Sequence, residues 1–145
     1  MKPTEAPEAL RERLFVSGYL AEGRAGATTR WQATTSYSSL DSCTQARILL
    51  ISRDTSRVQV TVCDTIHREF TIAGDERVRE IYIEAPADDI RIRVLEGNIL
   101  CYGASMEATG GVTVDNYSVR SNNGQAIFRT NATINAEINA LWPYD

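Results

Sequence analysis

The sequence predicts a mostly β domain, an antiparallel, jelly-roll-like β-sandwich with one helix near its C-terminal end. Apolar and polar residues alternate along several short segments, as in strands that bury one face. Turn-forming residues separate these segments at intervals of roughly 8–12 residues, a spacing typical of sandwiches and barrels. No segment between them is long enough for the crossover helix that parallel strands need.

The predicted strands begin with the β-forming segment 30–36 and with Ile48–Ile51, an apolar run typical of a strand buried on both faces. Arg57–Val62 then alternates three valines with Arg, Gln and Thr. The remaining predicted strands are the segments 81–84, 90–94, 99–106 and 112–119. Turns rich in Gly, Pro, Asn and Asp separate the strands from one another.

A change of spacing after Gly124 predicts the helix. Ile134, Ile138 and Leu141 fall on one face of a helix expected over Gln125–Leu141, which Pro143 ends. The 145 residues amount to about one domain. We expect a flexible segment at residues 1–12, the sandwich at 13–110, and a strand and helix at 111–145.

Composition and charge exclude several classes of protein. Hydrophobic residues make up 43% of the chain and charged residues 23%, which is ordinary for a folded domain. With 15 Lys and Arg against 19 Asp and Glu, the net charge is −4, which argues against nucleic acid or an anionic membrane surface as partner. No apolar run approaches the roughly 20 residues that span a bilayer.

The sequence predicts no metal site and no cofactor. Cys43, Cys63 and Cys101 form no CxxC pair, and His67 is the single histidine, so zinc ligands are missing. Cys63 and Cys101 lie in apolar strand-like runs and are predicted to be buried free thiols. One disulfide remains open as an alternative. We expect His67 to be a solvated turn residue.

Five aromatic residues are candidates for a platform on which a sugar stacks. They are Trp31, Tyr37, Tyr82, Tyr102 and Tyr117. Trp31 is the candidate ligand contact, because Thr, Gln and Arg surround it in the sequence. The alternative is packing in the core or at a strand edge, since aromatic residues are favoured in strands anyway.

The segment Tyr102–Glu107, followed by residues 110–124, resembles SGNH (GDSL-type) hydrolases. It is most similar to a branch that includes bacterial carbohydrate and peptidoglycan O-acetylesterases. The resemblance implies that a carbohydrate-binding-like sandwich is inserted before the second conserved block of an incomplete hydrolase domain. It implies no cofactor, and residues 13–100 match the branch in architecture alone.

The same resemblance assigns part of an oxyanion hole. The family's glycine that donates a backbone N–H corresponds to Ser121, and Asn116, Arg120, Asn123 and Gly124 fit the surrounding motif. The alternative is that residues 121–124 are a polar turn that caps the helix. The family's Gly-Asp-Ser nucleophile block and Asp-x-x-His dyad are absent, so we expect no catalytic residue in this chain.

We therefore expect the sandwich segment of an esterase that acts on acylated carbohydrate or peptidoglycan and is not catalytic alone. Its partners would be a glycan or acylated polysaccharide and the remainder of the hydrolase domain. Residues 1–13 hold no apolar signal-peptide core, and we expect a longer precursor, periplasmic or extracellular in its full form. The alternatives are a stand-alone carbohydrate-binding or adhesion module and an interaction domain that docks through an exposed apolar helix face.

Overall fold

The computed structural model describes residues 10, 12–16, 19–34, 36, 42–110, 128 and 130–143. Its eight strands are β1 (Ala21–Arg24), β2 (Thr28–Gln32), β3 (Gln45–Ser52), β4 (Ser56–Val62), β5 (Ile66–Ile72), β6 (Arg79–Glu84), β7 (Asp89–Glu96) and β8 (Asn98–Glu107). Sheet A has the order β1-β8-β3-β6, and sheet B has the order β2-β7-β4-β5, with every pair antiparallel. This order is that of a jelly roll, which confirms the predicted fold class.

The core lies between the two sheets. Alternate residues of each strand point inward, so Ile48 and Leu50 of sheet A meet Val58 and Val60 of sheet B, all fully buried. Strand β7 adds Ile90, Ile92 and Val94 to this core. The period-2 pattern that predicted the strands is thus the pattern of the inter-sheet core.

Sheet A is also apolar on part of its outer face. Leu49, Ile51, Leu100 and Tyr102 point away from the inter-sheet core and form a second buried cluster. The residues that cover them come from the N-terminal segment and from helix α1 (Ala132–Leu141): Leu10, Leu14, Phe15, Leu20, Ile134 and Ile138. Because β3 and β8 are apolar on both faces here, the sheet needs this second layer.

The helix face that the interaction-domain alternative requires to be exposed is therefore covered. Ile138 is fully buried and Ile134 is 6% exposed, so the premise of that alternative, an unpartnered apolar helix face, is wrong. Leu10, within the segment expected to be flexible, is buried in the same cluster.

Helix α1 also begins later than predicted. Asn131 is its N-cap, and the Asn131 side chain accepts a hydrogen bond from the Ile134 N–H at 3.0 Å. The helix that holds Ile134 and Ile138 thus starts at Ala132 rather than Gln125. Residues 121–124, predicted in one alternative to be a capping turn, lie outside the described residues. Helical spacing of apolar residues holds only from Ile134 onward.

Two strands, β1 and β5, were not predicted, and β2 covers Thr28–Gln32 rather than 30–36. His67 lies within β5, not in a turn, although it is exposed as expected. Cys63 is half-buried in the β4–β5 turn with φ 47°, whereas Cys101 is buried in β8. All three cysteines are free. The predicted strand 112–119 lies outside the described residues.

Candidate functional site

The part of the outer face of sheet A that helix α1 leaves uncovered is polar. Strand register places Arg47 of β3 between Tyr82 of β6 and Ser105 of β8. Two residues earlier on β3, Gln45 lies between Glu84 of β6 and Glu107 of β8. We call this surface the Tyr82 patch, and its members are Gln45, Arg47, Glu80, Tyr82, Glu84, Ser105 and Glu107.

A chain of hydrogen bonds fixes one side of the Tyr82 patch. The Tyr82 hydroxyl donates to Gln45 Oε1 at 3.0 Å, and Gln45 Nε2 donates to Glu107 Oε2 at 3.1 Å. The Ser105 hydroxyl donates to the other oxygen of the same carboxylate. The tyrosine ring is therefore held in place while 43% of the residue stays exposed.

Arg47 organises the other side of the patch. Its guanidinium carbon lies 5.3 Å from the centroid of the Tyr82 ring, a cation–π distance. Arg47 Nη1 donates to Glu80 Oε2 at 3.4 Å, and Trp142 Nε1 donates to the same oxygen at 2.6 Å. Arg47 Nε is buried and has no hydrogen-bond partner among the described residues. An aromatic ring, a guanidinium, an amide and carboxylates thus share one rigid sheet face.

This set of groups suits a polyhydroxylated ligand. A fixed aromatic ring offers an apolar face, while the amide and carboxylate oxygens accept, and the guanidinium and amide donate, hydrogen bonds. Hydroxyl groups arranged around a largely apolar ring match both requirements. The described residues hold no cluster of His, Cys, Asp or Glu that could bind a metal ion.

Of the five aromatic residues predicted to form a platform, the three that the structure describes do not share one surface. Trp31 pairs with Ile90, whose side chain points into the inter-sheet core, and Trp31 itself is half-buried against that core. Tyr102 is buried, and its hydroxyl donates to the Arg13 carbonyl at 3.0 Å. Tyr82 is exposed. Tyr37 and Tyr117 lie outside the described residues. Contact of Trp31 with a ligand stays a prediction.

The residues assigned to an oxyanion hole by resemblance all lie outside the described part of the chain. They are Asn116, Arg120, Ser121, Asn123 and Gly124. His67 Nδ1 lies 3.0 Å from Thr61 Oγ1 on the outer face of sheet B. A nucleophile–base–acid arrangement around this histidine is not found among the described residues.

Sequence reasoning missed Gln45, Arg47 and Glu107 as members of the patch. The alternation around Ile81 and Ile83 places Tyr82 on the opposite face of β6, and that signal was readable. The neighbours of Tyr82, in contrast, depend on the β3–β6 and β3–β8 registers. Those pairings join residues more than thirty positions apart and leave no local pattern.

A pocket of about 310 Å³ lies elsewhere, between the N-terminal segment, the β5–β6 loop and helix α1. Its polar groups already serve the structure. Arg13 pairs with Glu76 at 2.7 Å, Glu137 accepts the Val78 N–H at 2.8 Å, and Asn131 caps the helix. We therefore regard this pocket as the junction between the N-terminal segment, the β5–β6 loop and helix α1.

In the described part of the chain, no helix has the length and apolar character to cross a membrane.

No protein-family model matches the chain, and no curated protein sequence matches it. Among solved structures, it is similar to the capsular polysaccharide assembling protein CapF from Staphylococcus aureus, with 14% identity and TM-score 0.35, over 57% of this chain and 20% of that chain. For CapF with the inhibitor 3-isopropenyl-tropolone, the identity is 13% and the TM-score 0.34, over 62% and 28% of the two chains. The chain thus spans less than a third of the CapF chains that it matches, and likeness of this degree identifies neither a family nor an activity.

Proposed function

We propose that this chain is a carbohydrate-binding β-sandwich without catalytic activity of its own, and that the Tyr82 patch is its sugar-contacting surface. The observation that carries the proposal is the exposed Tyr82 ring, held by Gln45 and Arg47 on the polar part of the outer face of sheet A. The apolar face of helix α1 packs against sheet A and the N-terminal segment. This supports a separate binding module over a segment whose helix would pack against a hydrolase domain.

The charges of the Tyr82 patch favour an uncharged sugar. Arg47 stands among Glu80, Glu84 and Glu107, so carboxylates outnumber the cation. A negatively charged ligand would meet these carboxylates at close range. We therefore expect neutral oligosaccharides to bind here in preference to acidic ones.

The test is binding of neutral hexasaccharides of xylose, glucose and N-acetylglucosamine, measured by isothermal titration calorimetry. Tyr82→Ala should weaken binding of the preferred sugar about tenfold or more, since a stacked aromatic ring contributes on the order of 1 kcal/mol beyond the area it buries. Tyr82→Phe keeps the ring and should retain most of the affinity.

Tyr19→Ala is the matched control, because Tyr19 is 48% exposed and precedes β1, on the opposite edge of sheet A from β6. This variant should bind as the parent does. Equal affinity of parent and Tyr82→Ala, or no binding of any of the three sugars, would contradict the proposal.

The second candidate is a segment of an exported SGNH-type esterase acting on acylated carbohydrate or peptidoglycan. The resemblance at Tyr102–Glu107 and residues 110–124 favours it, and Ser105 and Glu107 of the first segment belong to the Tyr82 patch. In that case the sandwich would hold glycan for a hydrolase domain that supplies the nucleophile and the Asp/His dyad. We expect the isolated chain to release no acetate from acetylated xylan. Hydrolysis that Ser121→Ala or His67→Ala abolished would show instead that this chain is itself the enzyme.

A further inference from the structure

Strand β5 forms one edge of sheet B. The sheet has the order β2-β7-β4-β5, so among the described strands β5 pairs with β4 alone. Three successive residues of β5 are exposed, His67, Arg68 and Glu69. A free edge of this kind presents unpaired backbone N–H and C=O groups, to which another strand can add.

The sequence of β5 favours such an addition. The strand is seven residues long, its single arginine and single glutamate cancel in charge, and it contains neither proline nor glycine. Ile66, Phe70 and Ile72 belong to the residue types that are enriched in strands. Segments that combine this composition with low net charge readily pair with further strands. The β5 edge is therefore a place where a second copy of this chain could add, unless a side chain opposes it.

Strand register divides the side chains of β5 into an inner and an outer row. Ile66, Arg68 and Phe70 each pair with a fully buried valine of β4. Directly opposed residues of an antiparallel pair lie on the same face, so these three residues belong to the row that faces the core. Ile66 and Phe70 indeed pack against the inter-sheet core.

Arg68 is the one charged residue in the inner row of β5. It stands between Ile66 and Phe70, yet it is exposed, and among the described residues it makes no ion pair. A long arginine side chain can reach water from this row because the strand lies at the edge of the sheet. Since no described group uses the charge of Arg68, its role is to be sought at the free edge.

A second copy that added to β5 would bury Arg68. Two copies related by a two-fold axis would pair their β5 strands antiparallel, and each row would continue on its own side of the joined sheet. Each Arg68 would then lie within one apolar layer, because no other inner-row residue of β5 is polar or charged. Burial of an unpaired charge is unfavourable, and a register that opposed the two Arg68 residues would add repulsion between like charges.

The outer row of β5 offers no comparable obstacle. His67, Glu69 and Thr71 pair with the outward residues of β4, so they would stay in contact with water in a joined sheet. Glu69 also pairs with Arg57 at 3.6 Å, within the same copy. The inner-row charge is therefore the feature of β5 that opposes addition of a strand.

We propose that Arg68 prevents a second copy of this chain from pairing with the free edge of β5. The partner that this edge fits is the β5 strand of an identical chain, in antiparallel orientation. A two-fold contact of this kind closes on itself, so its product is a dimer rather than a fibre. The inference does not depend on sugar binding by the Tyr82 patch, which lies on sheet A.

The test replaces the charge of Arg68 with an apolar side chain. The parent and Arg68→Val are compared by sedimentation velocity at protein concentrations from about 10 to about 300 μM. We expect the parent to remain a monomer and Arg68→Val to dimerise at least about a hundredfold more tightly, because two unpaired charges no longer have to be buried. The variant should fold, since Arg68 is exposed and valine is favoured in strands.

Arg93→Val is the matched control, because Arg93 is an exposed arginine of β7, which is an interior strand of the same sheet. It removes the same charge, adds the same apolar side chain and should remain a monomer. Arg68→Glu should also remain a monomer, because it keeps a charge in the inner row. A dimer of the parent or of either control would contradict the proposal, and so would a monomeric Arg68→Val.

Hydrogen exchange locates the contact in the Arg68→Val dimer. The amides of β5 should become more protected as the protein concentration rises, while those of β2, the opposite edge of sheet B, should not. Protection confined to β2 or to sheet A would show that the copies associate through another surface, and would overturn the role given to the β5 edge.

Discussion

Ile138→Ala is the sharpest test of whether helix α1 is an integral layer of this sandwich. Ile138 is fully buried against Leu49, Ile51 and Leu100 on the outer face of sheet A, in the cluster that the N-terminal segment also enters. If the helix only linked the sandwich to another segment, truncation of the Ile138 side chain would hardly change the free energy of unfolding. If the helix is part of the fold, the truncation should lower that free energy as much as a substitution in the core does.

The magnitude follows from what the substitution removes. Isoleucine exceeds alanine by three carbon groups, each worth about 0.8 kcal/mol on burial. The cavity that remains, because the surrounding residues relax only partly, adds to this cost, and buried Ile→Ala substitutions cost about 2–5 kcal/mol in all. We expect a loss of about 3 kcal/mol in the free energy of unfolding. Asn139→Ala, on the exposed side of the same helix, should change it by less than about 0.5 kcal/mol.

Urea denaturation provides the assay, because the two tryptophans report on different layers. Trp31 packs against the inter-sheet core and Trp142 follows helix α1. Trp31→Phe and Trp142→Phe backgrounds let each be followed alone. We expect the Trp31 and Trp142 unfolding transitions to coincide, and both to move to lower urea concentration in Ile138→Ala. A change below 1 kcal/mol, or a Trp142 transition well before that of Trp31, would refute the integral layer.

Three further predictions concern single residues. Gly97 has φ 79°, and a Cβ at this position would overlap the Ser56 hydroxyl and lie 2.9 Å from Ser56 Cβ. Thermal melts should therefore show that Gly97→Ala lowers the free energy of unfolding by about 2 kcal/mol. Gly110→Ala is the control and should not lower it, because the space around Gly110 is open. Asn131→Ala removes the helix cap and should cost about 1–2 kcal/mol in urea, against little for the exposed neighbour Thr133→Ala. Burial raises the pKa of the Cys101 thiol from 9.0 to about 11. The protonated thiol therefore makes its full contribution to the free energy of unfolding below pH 9, and this contribution is lost as the pH rises to 11. Unfolding curves at pH 8 and pH 11 should therefore differ less in Cys101→Ala than in the parent, and an equal difference would contradict this assignment.

The sandwich was predictable because its signal is local. Arg57–Val62 and Ile90–Val94 alternate so regularly that the buried face can be read from the sequence, and the structure confirms those faces. Strand β5 was missed because it is an edge strand. His67, Arg68 and Glu69 are exposed in succession there, which erases the period-2 pattern.

The second layer and the candidate site were harder to predict, since both depend on distant pairings. The apolar face of helix α1 was recognised, but its partners, Leu14 of the N-terminal segment and Leu49 and Leu100 of sheet A, are far away in sequence. The neighbours of Tyr82 likewise come from β3 and β8. Local periodicity shows that a residue faces outward, but not which strand stands beside it.

The closure of sheet A by segments from both sides of the sequence has a consequence for how the chain acquires its structure. The Asn131 amide donates to the Glu12 carbonyl across 119 positions, and the Tyr102 hydroxyl reaches the Arg13 carbonyl across 89. Contacts of such separation form slowly, and those that involve the helix must wait until it has been synthesised. Until then Leu49, Ile51 and Leu100 remain open to water on a nascent sheet. We therefore expect helix docking to be the last step of folding, and amides of α1 to gain protection after those of β3 and β8 in pulsed hydrogen exchange.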